Sequence, residues 1–222
     1  MAASAVYGRV LCFMLAAGIC LSQTPVPSRP LGFTYISSEM PKVVLEIFYD
    51  HLCIDSKANW PMLKSVVDEY DIMNKGIKVM IHMTSLPFHH DTFFAQRAGV
   101  LVRRVDPMQF TDYLELMFAN QDSFLSGAVN MTEPEVQDKM AALASAKLTI
   151  SKAMMLTAFT DTTVDNEARL AFKYAGHRGI TGTPQFVVNG VHTPDVAGYD
   201  KGQWEKYITQ LIMDTSLGKD EL

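Results

Sequence analysis

The sequence predicts an α/β fold in which an all-helical segment is inserted between two halves of a sheet. Residues 42–49 form a dense apolar run and residues 77–83 alternate in hydropathy, as two strands around a helix would. Between about 91 and 158 no strand pattern occurs, and apolar residues recur at helical spacing. A helix, a hairpin and a last amphipathic helix follow. The predicted order is therefore β-α-β, a helical segment, then α-β-β-α.

The first half contains a predicted β-α-β unit. The run Lys42–Tyr49 (KVVLEIFY) alternates little, which is typical of a strand covered on both faces. The segment 50–56 (DHLCIDS) ends that strand, and the following helix takes either Asp55 or Ser56 as its N-cap. A glycine ends the helix, and the alternating run IKVMIHM forms the second strand. Such a unit predicts parallel strands joined by a right-handed crossover.

The inserted segment and the second half are predicted from helical faces and turn signals. Two helices are indicated by shared apolar faces, which consist of Phe94, Ala98, Leu101, Val102 and Val105, and of Phe110, Tyr113, Leu114, Met117 and Phe118. The stretch 132–135 (TEPE) is a capping box that opens a further helix. We then expect a helix over 166–175, a hairpin whose turn Asn189-Gly190 favours type I′, and a last helix opened by Asp200.

The composition excludes several classes of protein. The chain has 222 residues, of which 48% are hydrophobic and 19% charged, so it can build a full core and is neither disordered nor collagen-like. Its 24 acidic side chains outnumber its 19 Lys and Arg and give a formal net charge of −5. Nucleic acid is therefore not an expected partner, because domains that bind it carry a basic face.

Both ends of the chain carry predicted targeting signals. Arg9 and the apolar run 10–21 are typical of a cleaved secretory signal peptide, and the run is too short to span a bilayer. The proline-containing stretch 22–30 argues against a buried N-terminal helix. The endoplasmic-reticulum retention signal is matched by the last four residues, Lys219, Asp220, Glu221 and Leu222. We expect a protein of the endoplasmic-reticulum lumen that has no membrane span and is retrieved by the KDEL receptor.

The cysteine count limits the thiol chemistry. Cys12 and Cys20 leave with the signal peptide, so the mature chain keeps Cys53 alone. An intramolecular disulfide is then impossible, and any thiol chemistry in that oxidising compartment is intermolecular and uses Cys53. The same compartment makes Asn130 a predicted glycosylation site, because it opens the sequon Asn-Met-Thr.

Two segments of the sequence carry a resemblance to a known family. The motif Cys53-Ile54-Asp55-Ser56 lies where the first strand meets the first helix, and GTPQFVVNG at 182–190 leads into and forms the hairpin. In this order they resemble the thioredoxin superfamily, and specifically its DsbA-like branch, over roughly 42–216. The pair Trp60-Pro61 and the stretch 87–90 (PFHH) are also similar to a pattern in eukaryotic thioredoxin-like proteins.

The resemblance implies a thioredoxin-like fold with an inserted all-helical domain. It implies a cis peptide bond between Thr183 and Pro184, a backbone at Thr183 that pairs with a bound peptide, and a Glu46 that lies beneath the cysteine motif. The implied parts of the chain are a signal peptide (1–22), an N-terminal extended segment (23–41), the first part of the thioredoxin fold (42–90), the helical insertion (91–163), the second part of the fold (164–216) and a tail (217–222).

One position departs from the family motif Cys-x-x-Cys, because Ser56 replaces the second cysteine. Dithiol oxidoreductases attack with the first cysteine and resolve the mixed disulfide with the second. This chain therefore cannot store a disulfide, but it can form mixed disulfides that the client's second thiol or glutathione releases. We predict Cys53 and Ser56 as catalytic residues, with Thr183 and Pro184 as the substrate-binding pair.

The neighbours of Cys53 are expected to act on its thiolate in opposite directions. The start of a helix favours the thiolate, and the Ser56 hydroxyl can donate to the sulfur. The Asp55 carboxylate opposes it by about 0.7–2.8 kcal/mol at roughly 6 Å, and His51 helps only when it is protonated. Glu46 is either a buried proton relay or a charged residue at a sheet edge. All of these arguments expect the sulfur to be presented to solvent.

The predicted function is monothiol thiol–disulfide exchange with client proteins of the secretory pathway. It needs no cofactor, and either glutathione as a co-substrate or the client's second thiol completes the exchange. Two other interpretations stay open, namely a non-catalytic, chaperone-like client-binding module of the same fold, and a glutathione transferase-like enzyme that binds glutathione near Ser56 and Thr183. No metal site is expected, because His89 and His90, followed by Asp91, point in different directions at a helix start.

Overall fold

The strands of the protein form a five-stranded sheet in the order β1-β3-β2-β4-β5. The computed structural model describes residues 26, 27, 30–73 and 75–214. In chain order the strands are β1 (Phe33–Ile36), β2 (Val43–Tyr49), β3 (Ile77–Met83), β4 (Gln185–Val188) and β5 (Val191–His192). β2 and β3 run parallel, and the other neighbouring pairs are antiparallel. This is the predicted α/β fold with helices inserted between two halves of a sheet.

The predicted β-α-β unit is present. β2 and β3 pair from Val43 opposite Ile77 to Tyr49 opposite Met83, and helix α1 (Ile54–Ile72) connects them. Most residues of β2 are buried, as expected of a strand covered on both faces. Helix α1 continues without interruption through its internal proline, Pro61.

Helix α1 begins before both of the predicted N-cap residues. Its N-cap is Cys53, which has extended backbone angles and no side-chain cap. The assignment of the N-cap to Asp55 or Ser56 was therefore wrong, and both residues lie within the first turn. The backbone N–H of Cys53 donates to the carbonyl oxygen of Asp50 at 3.2 Å and turns the chain into the helix there. The Asp50 carboxylate holds this turn against the distant N–H of Leu86, a contact that no local pattern reveals.

The segment between β3 and β4 begins with helices, as predicted. They are α2 (Thr92–Val105), α3 (Phe110–Ala119), α4 (Glu133–Lys147) and α5 (Lys152–Thr157), and the predicted capping box opens α4. Their hydrophobic cluster includes Leu101, Tyr113 and Met117, whereas Leu114 and Phe118 belong to the cluster of the sheet. The residues of the two predicted apolar faces are buried except at the ends of the first face, where Phe94 is partly buried and Val105 is 49% exposed.

The second half follows the predicted order. Helix α6 (Thr162–His177) is longer than predicted because Asp161 caps it through two backbone N–H groups. In the hairpin, Asn189 and Gly190 have φ angles of 47° and 85°, which a type I′ turn requires. Helix α7 (Lys201–Met213) opens with a capping box formed by its N-cap Asp200. Tyr174 of α6 stacks on Phe48, and Trp204 of α7 packs against Phe186.

Strand β1 was not predicted and lies within the segment 23–41. It has four residues, and its register against β3 is irregular between Thr34 and Ile36. Gly32, just before it, has a φ of 88°, and a Cβ there would lie 2.6 Å from the His82 ring. The strand therefore depends on a contact with β3 that no local pattern reveals.

Several predictions fall on residues that the structure does not describe. The signal peptide at 1–22, with Cys12 and Cys20, and the retention signal at 219–222 lie outside the described residues. From Leu31 onward the described residues form one compact unit, and the finer division of the chain stays a prediction. None of the helices in the described part of the chain is both long and apolar enough to cross a membrane.

Candidate functional site

Cys53 lies at the junction of β2 and α1, at the edge where both parallel strands end. Tyr49 is the last residue of β2 and Ile54 the first of α1. The carbonyl oxygen of Cys53 accepts the N–H of Lys57 at 3.1 Å, which is the first hydrogen bond of the helix. The residue is thus held at the N-terminal end of α1, where the helix dipole is positive.

The second motif meets Cys53 across the sheet. The peptide bond between Thr183 and Pro184 is cis, as the resemblance implied. β4 begins with Gln185 opposite Phe48 of β2, so the residues just before it lie at the edge that carries Cys53. The Cys53 thiol donates to the carbonyl oxygen of Thr183 at 3.2 Å, although 130 positions separate the two residues.

Cys53 is far less exposed than the sequence predicted. Only 5% of its surface is accessible, whereas the neighbouring Ile54 is 64% exposed. The expectation of a sulfur presented to solvent is therefore wrong. The carbonyl of Thr183 contacts the sulfur, and Gln121 of the inserted segment reaches the same turn.

Ser56 and Asp55, which follow Cys53 in the motif, differ in their surroundings. Ser56 is fully buried, and its Oγ accepts the N–H of Asp50 at 3.4 Å. Asp55 is exposed in the first turn of α1. The thiol hydrogen bond goes to Thr183, and among the described residues no donation from Ser56 to the sulfur is found. A serine buried in this way is also poorly placed to meet the sulfur of glutathione, as a transferase-like enzyme would need.

His51 is buried and neutral at physiological pH. Its exposure is 1%, its ring lies 5.4 Å from that of Tyr113, and a Cβ added to Gly99 would approach its Nε2 to 3.2 Å. Burial lowers the pKa of His51 to about 4, against an opposing effect of Asp50. The predicted help of a protonated His51 to the thiolate therefore does not arise near pH 7.

Asp50 organises the turn and was missed by the sequence analysis. Its carboxylate is fully buried, and Oδ1 accepts the N–H of Leu52 at 2.7 Å and the hydroxyl of Thr92 at 2.5 Å. Oδ2 accepts the N–H of Leu86 at 2.7 Å and lies 3.1 Å from Nδ1 of His89. One side chain thus ties the Cys53 turn to the segment that follows β3. The only sequence signal was an aspartate directly after a buried strand.

Gln121 is a second residue that the sequence analysis missed. It lies after α3 and is 1% exposed, and its Nε2 donates to the carbonyl oxygens of His51 at 3.1 Å and of Cys53 at 2.8 Å. The two carbonyl oxygens fix the orientation of the Gln121 amide, because they accept hydrogen bonds from its NH₂ group and would repel its oxygen. A position 68 residues from Cys53 in a helical segment carries no local sign of this contact.

Glu46, a residue of β2, belongs to a polar cluster of its own. Its carboxylate accepts the hydroxyl of Tyr174 at 2.6 Å and pairs with Arg178 at 2.9 Å and with Nε2 of His82 at 3.1 Å. Burial alone would raise the pKa of Glu46, but the contacts with His82 and Tyr174 and the charge of Arg178 lower it below its usual value. A carboxylate that stays ionised carries protons poorly, which favours a structural role over a proton relay.

The remaining candidate residues lie apart from Cys53. Asn130 is exposed in a turn before α4. His89 contacts the Asp50 carboxylate, and His90 lies 2.7 Å from Oδ1 of Asp91 with 86% of its side chain exposed. Within the described ranges no group of three or more His, Cys, Asp or Glu side chains is arranged to hold a metal ion.

The fold is similar to those of solved DsbA-like thiol–disulfide oxidoreductases. DsbA of Chlamydia trachomatis matches with a TM-score of 0.66 at 16% identity, over 88% of this chain and 99% of that one. Oxidised BdbD of Bacillus subtilis matches with 0.63 at 18% identity, over 80% and 91%. DsbA2 of Pseudomonas aeruginosa matches with 0.62 at 18% identity, over 87% and 100%. Identities this low establish the DsbA-like thioredoxin fold alone.

The sequence itself gives no closer assignment. It matches no protein-family model and no curated protein sequence.

Proposed function

We propose that this chain performs thiol–disulfide exchange through Cys53 alone, in the lumen of the endoplasmic reticulum. One observation carries the proposal. Cys53, the one cysteine predicted to remain in the mature chain, lies at the start of a helix. Its thiol is 3.2 Å from the carbonyl oxygen of Thr183, which precedes a cis proline. The DsbA-like fold of the structural neighbours supports the same chemistry.

The proposed reaction transfers one sulfur–sulfur bond. The Cys53 thiolate attacks a client disulfide, a bond forms between Cys53 and one client sulfur, and the other client sulfur leaves as a thiolate that takes up a proton. A second thiol, from the client or from glutathione, then attacks the mixed disulfide and releases Cys53. Ser56 cannot supply that thiol, so the mixed disulfide persists longer than it does in a dithiol enzyme. Glutathione acts as co-substrate and no cofactor takes part.

A second candidate is a non-catalytic, chaperone-like client-binding module. The observation that favours it is the 5% exposure of Cys53, because reactive thiols are usually partly accessible. Both candidates keep the fold and the substrate-binding pair Thr183 and Pro184. They differ in whether client association survives the loss of the sulfur.

The first prediction is that Cys53 forms disulfide-linked adducts. The protein is expressed in cells so that the mature chain is in the lumen of the endoplasmic reticulum. Free thiols are then blocked with an alkylating agent, and the adducts are separated on a non-reducing gel. We expect adducts in the wild type and none in Cys53→Ala. Ser56→Cys supplies a resolving thiol and should deplete the adducts, whereas Ser65→Cys, farther along α1, should not.

The two candidate functions give different results in that experiment. If the wild type forms no adducts, exchange through Cys53 is wrong. If Cys53→Ala then retains full, non-covalent client association, the chaperone-like module is the correct function.

The second prediction concerns the compartment, which the signals at 1–22 and 219–222 and the exposure of the Asn130 turn support. We expect a glycosidase to increase the gel mobility of the wild type and not that of Asn130→Gln. Deletion of Lys219–Leu222 should move the protein into the medium, because the KDEL receptor no longer retrieves it. Full retention of the truncated chain in the cell would contradict this localisation.

A further inference from the structure

A groove near the Cys53 turn is lined by none of the residues to which the proposed reaction assigns a role. It has a volume of about 580 Å³ and lies between the segment that follows β3 and helix α6. Its apolar lining includes Leu86, Pro87, Phe93 and Phe172. A volume of this size is typical of a binding site for a small molecule or a few residues of a peptide.

The groove and the Cys53 turn are parts of one edge of the sheet. β2 and β3 are parallel and end together, with Tyr49 opposite Met83, so the segments that follow them emerge side by side. The Asp50 carboxylate binds the N–H of Leu52 on one side and the N–H of Leu86 on the other. A single carboxylate group therefore separates the backbone next to Cys53 from the wall of the groove.

The rim of the groove exposes aromatic surface. Phe172 is 50% exposed, and Phe88, between the lining residues Pro87 and His89, is 72% exposed. Burying large aromatic side chains of this kind away from water is favourable. Such a surface beside a groove indicates a site that a partner covers.

The charged groups at the groove leave positive charge unpaired. Lys173 lines the groove and, within the described part of the chain, forms no ion pair. Arg169 pairs with Asp165 at 2.5 Å, and its guanidinium lies 5.6 Å from the centre of the Phe93 ring. Asp50 and Asp91, the other acidic residues of this region, are buried and each contacts a histidine. Lys173 is therefore the charged lining residue that is left to pair with an occupant of the groove.

We propose that this groove docks an extended client segment in which an acidic residue is flanked by apolar and aromatic ones, close to the cysteine that reacts with Cys53. This inference rests on the proposed function and names its substrate class. The apolar lining needs apolar side chains, which glutathione lacks, and Lys173 needs a carboxylate. Unfolded secretory clients expose such segments, whereas folded proteins bury them.

The test uses fluorescent peptides without cysteine and the full mature chain carrying Cys53→Ala, so that no disulfide forms. One peptide has a glutamate among apolar residues, and its matched partner has a lysine in that position. Fluorescence anisotropy should show the glutamate peptide binding about tenfold more tightly, which corresponds to about 1.4 kcal/mol. Lys173→Glu should remove or reverse that preference, and Phe172→Ala should weaken both peptides. Lys206→Glu, an exposed lysine of α7, is the matched control and should change nothing.

Three results would overturn the docking proposal. They are equal affinity for the two peptides, equal effects of Lys173→Glu and Lys206→Glu, and competition for the groove by reduced glutathione alone. Failure of the proposed function looks different, since adducts with Cys53 would then be absent while the peptide preference and its dependence on Lys173 remain. If Lys173→Glu and Phe172→Ala form adducts at the wild-type level and no peptide preference is found, the docking proposal is wrong. The proposed thiol–disulfide exchange through Cys53 then still stands.

Discussion

At the level of single residues, Asp50 determines the conformation of the turn that carries Cys53. Its backbone carbonyl accepts the N–H of Cys53, its backbone N–H donates to Ser56, and its carboxylate binds the N–H of Leu52. A buried carboxylate is tolerated only when donors surround it, so this network leaves the turn little freedom. Ser56 belongs to the same network, because its hydroxyl accepts the hydrogen bond from the backbone N–H of Asp50.

The third prediction is a pH dependence of stability that His51 causes. Burial lowers its pKa in the folded protein to about 4, against 6.5 in the unfolded chain. Between these values the unfolded state binds more protons, so stability should fall as the pH is lowered from 6.5 to 4 and stay level above 6.5. A shift of this size corresponds to about 3 kcal/mol. Urea unfolding of the wild type and of His51→Asn across this range measures the difference.

The control for His51 is His90→Asn, which removes a side chain that is 86% exposed. It should keep the wild-type pH dependence, whereas His51→Asn should lose the part that falls between 6.5 and 4. If His51→Asn does not fold, NMR titration of the His51 ring in the wild type replaces it. An ordinary histidine pKa there would refute the assignment.

At the level of elements, Gln121 joins the inserted helices to the start of α1. The side chain donates to the carbonyl oxygens of His51 and Cys53, so removal leaves buried acceptors with fewer partners. The fourth prediction is that Gln121→Met lowers the free energy of unfolding by about 1–3 kcal/mol. Gln121→Glu should cost more at pH 7, because a carboxylate then faces two carbonyl oxygens, and should recover in acid when it is protonated.

Unfolding in urea at two pH values measures these effects. Gln210→Glu places the same change on an exposed position of α7 and should be nearly neutral. Gln121→Glu should also speed the alkylation of Cys53, because a looser turn opens more often. Wild-type stability of Gln121→Glu at pH 7 would show that the amide does not hold the turn.

The elements differ in how well the sequence predicted them. β3 was assigned with its observed bounds and the hairpin with its observed turn, because alternation and an Asn-Gly turn are local signals. The capping box of α4 and the N-cap Asp200 of α7 were likewise predicted from local signals. β1 was missed because it is a short strand that depends on pairing with β3, and the N-cap of α1 was misplaced because Asp50 rather than a capping side chain turns the chain there.

At the level of the whole molecule, the sheet order explains why the candidate site lies where it does. β2 is central, with β3 parallel on one side and β4 antiparallel on the other. The end of β2, the end of β3 and the start of β4 therefore share one edge, and these bring Cys53, the groove and Thr183 together. The resemblance predicted the meeting of Cys53 and Thr183, whereas the groove follows only from the position of α6.

The amino-acid sequence by itself determined the order of helices and strands, the predicted single thiol of the mature chain and the motif that contains Pro184. These features depend on periodicity, turn chemistry and composition, which act between residues close in the chain. Only the tertiary structure decided that Cys53 is enclosed, that His51 is neutral, and that Asp50 and Gln121 hold the turn. Burial and hydrogen bonding there depend on residues that are distant in sequence and meet only when the sheet and the inserted helices pack together.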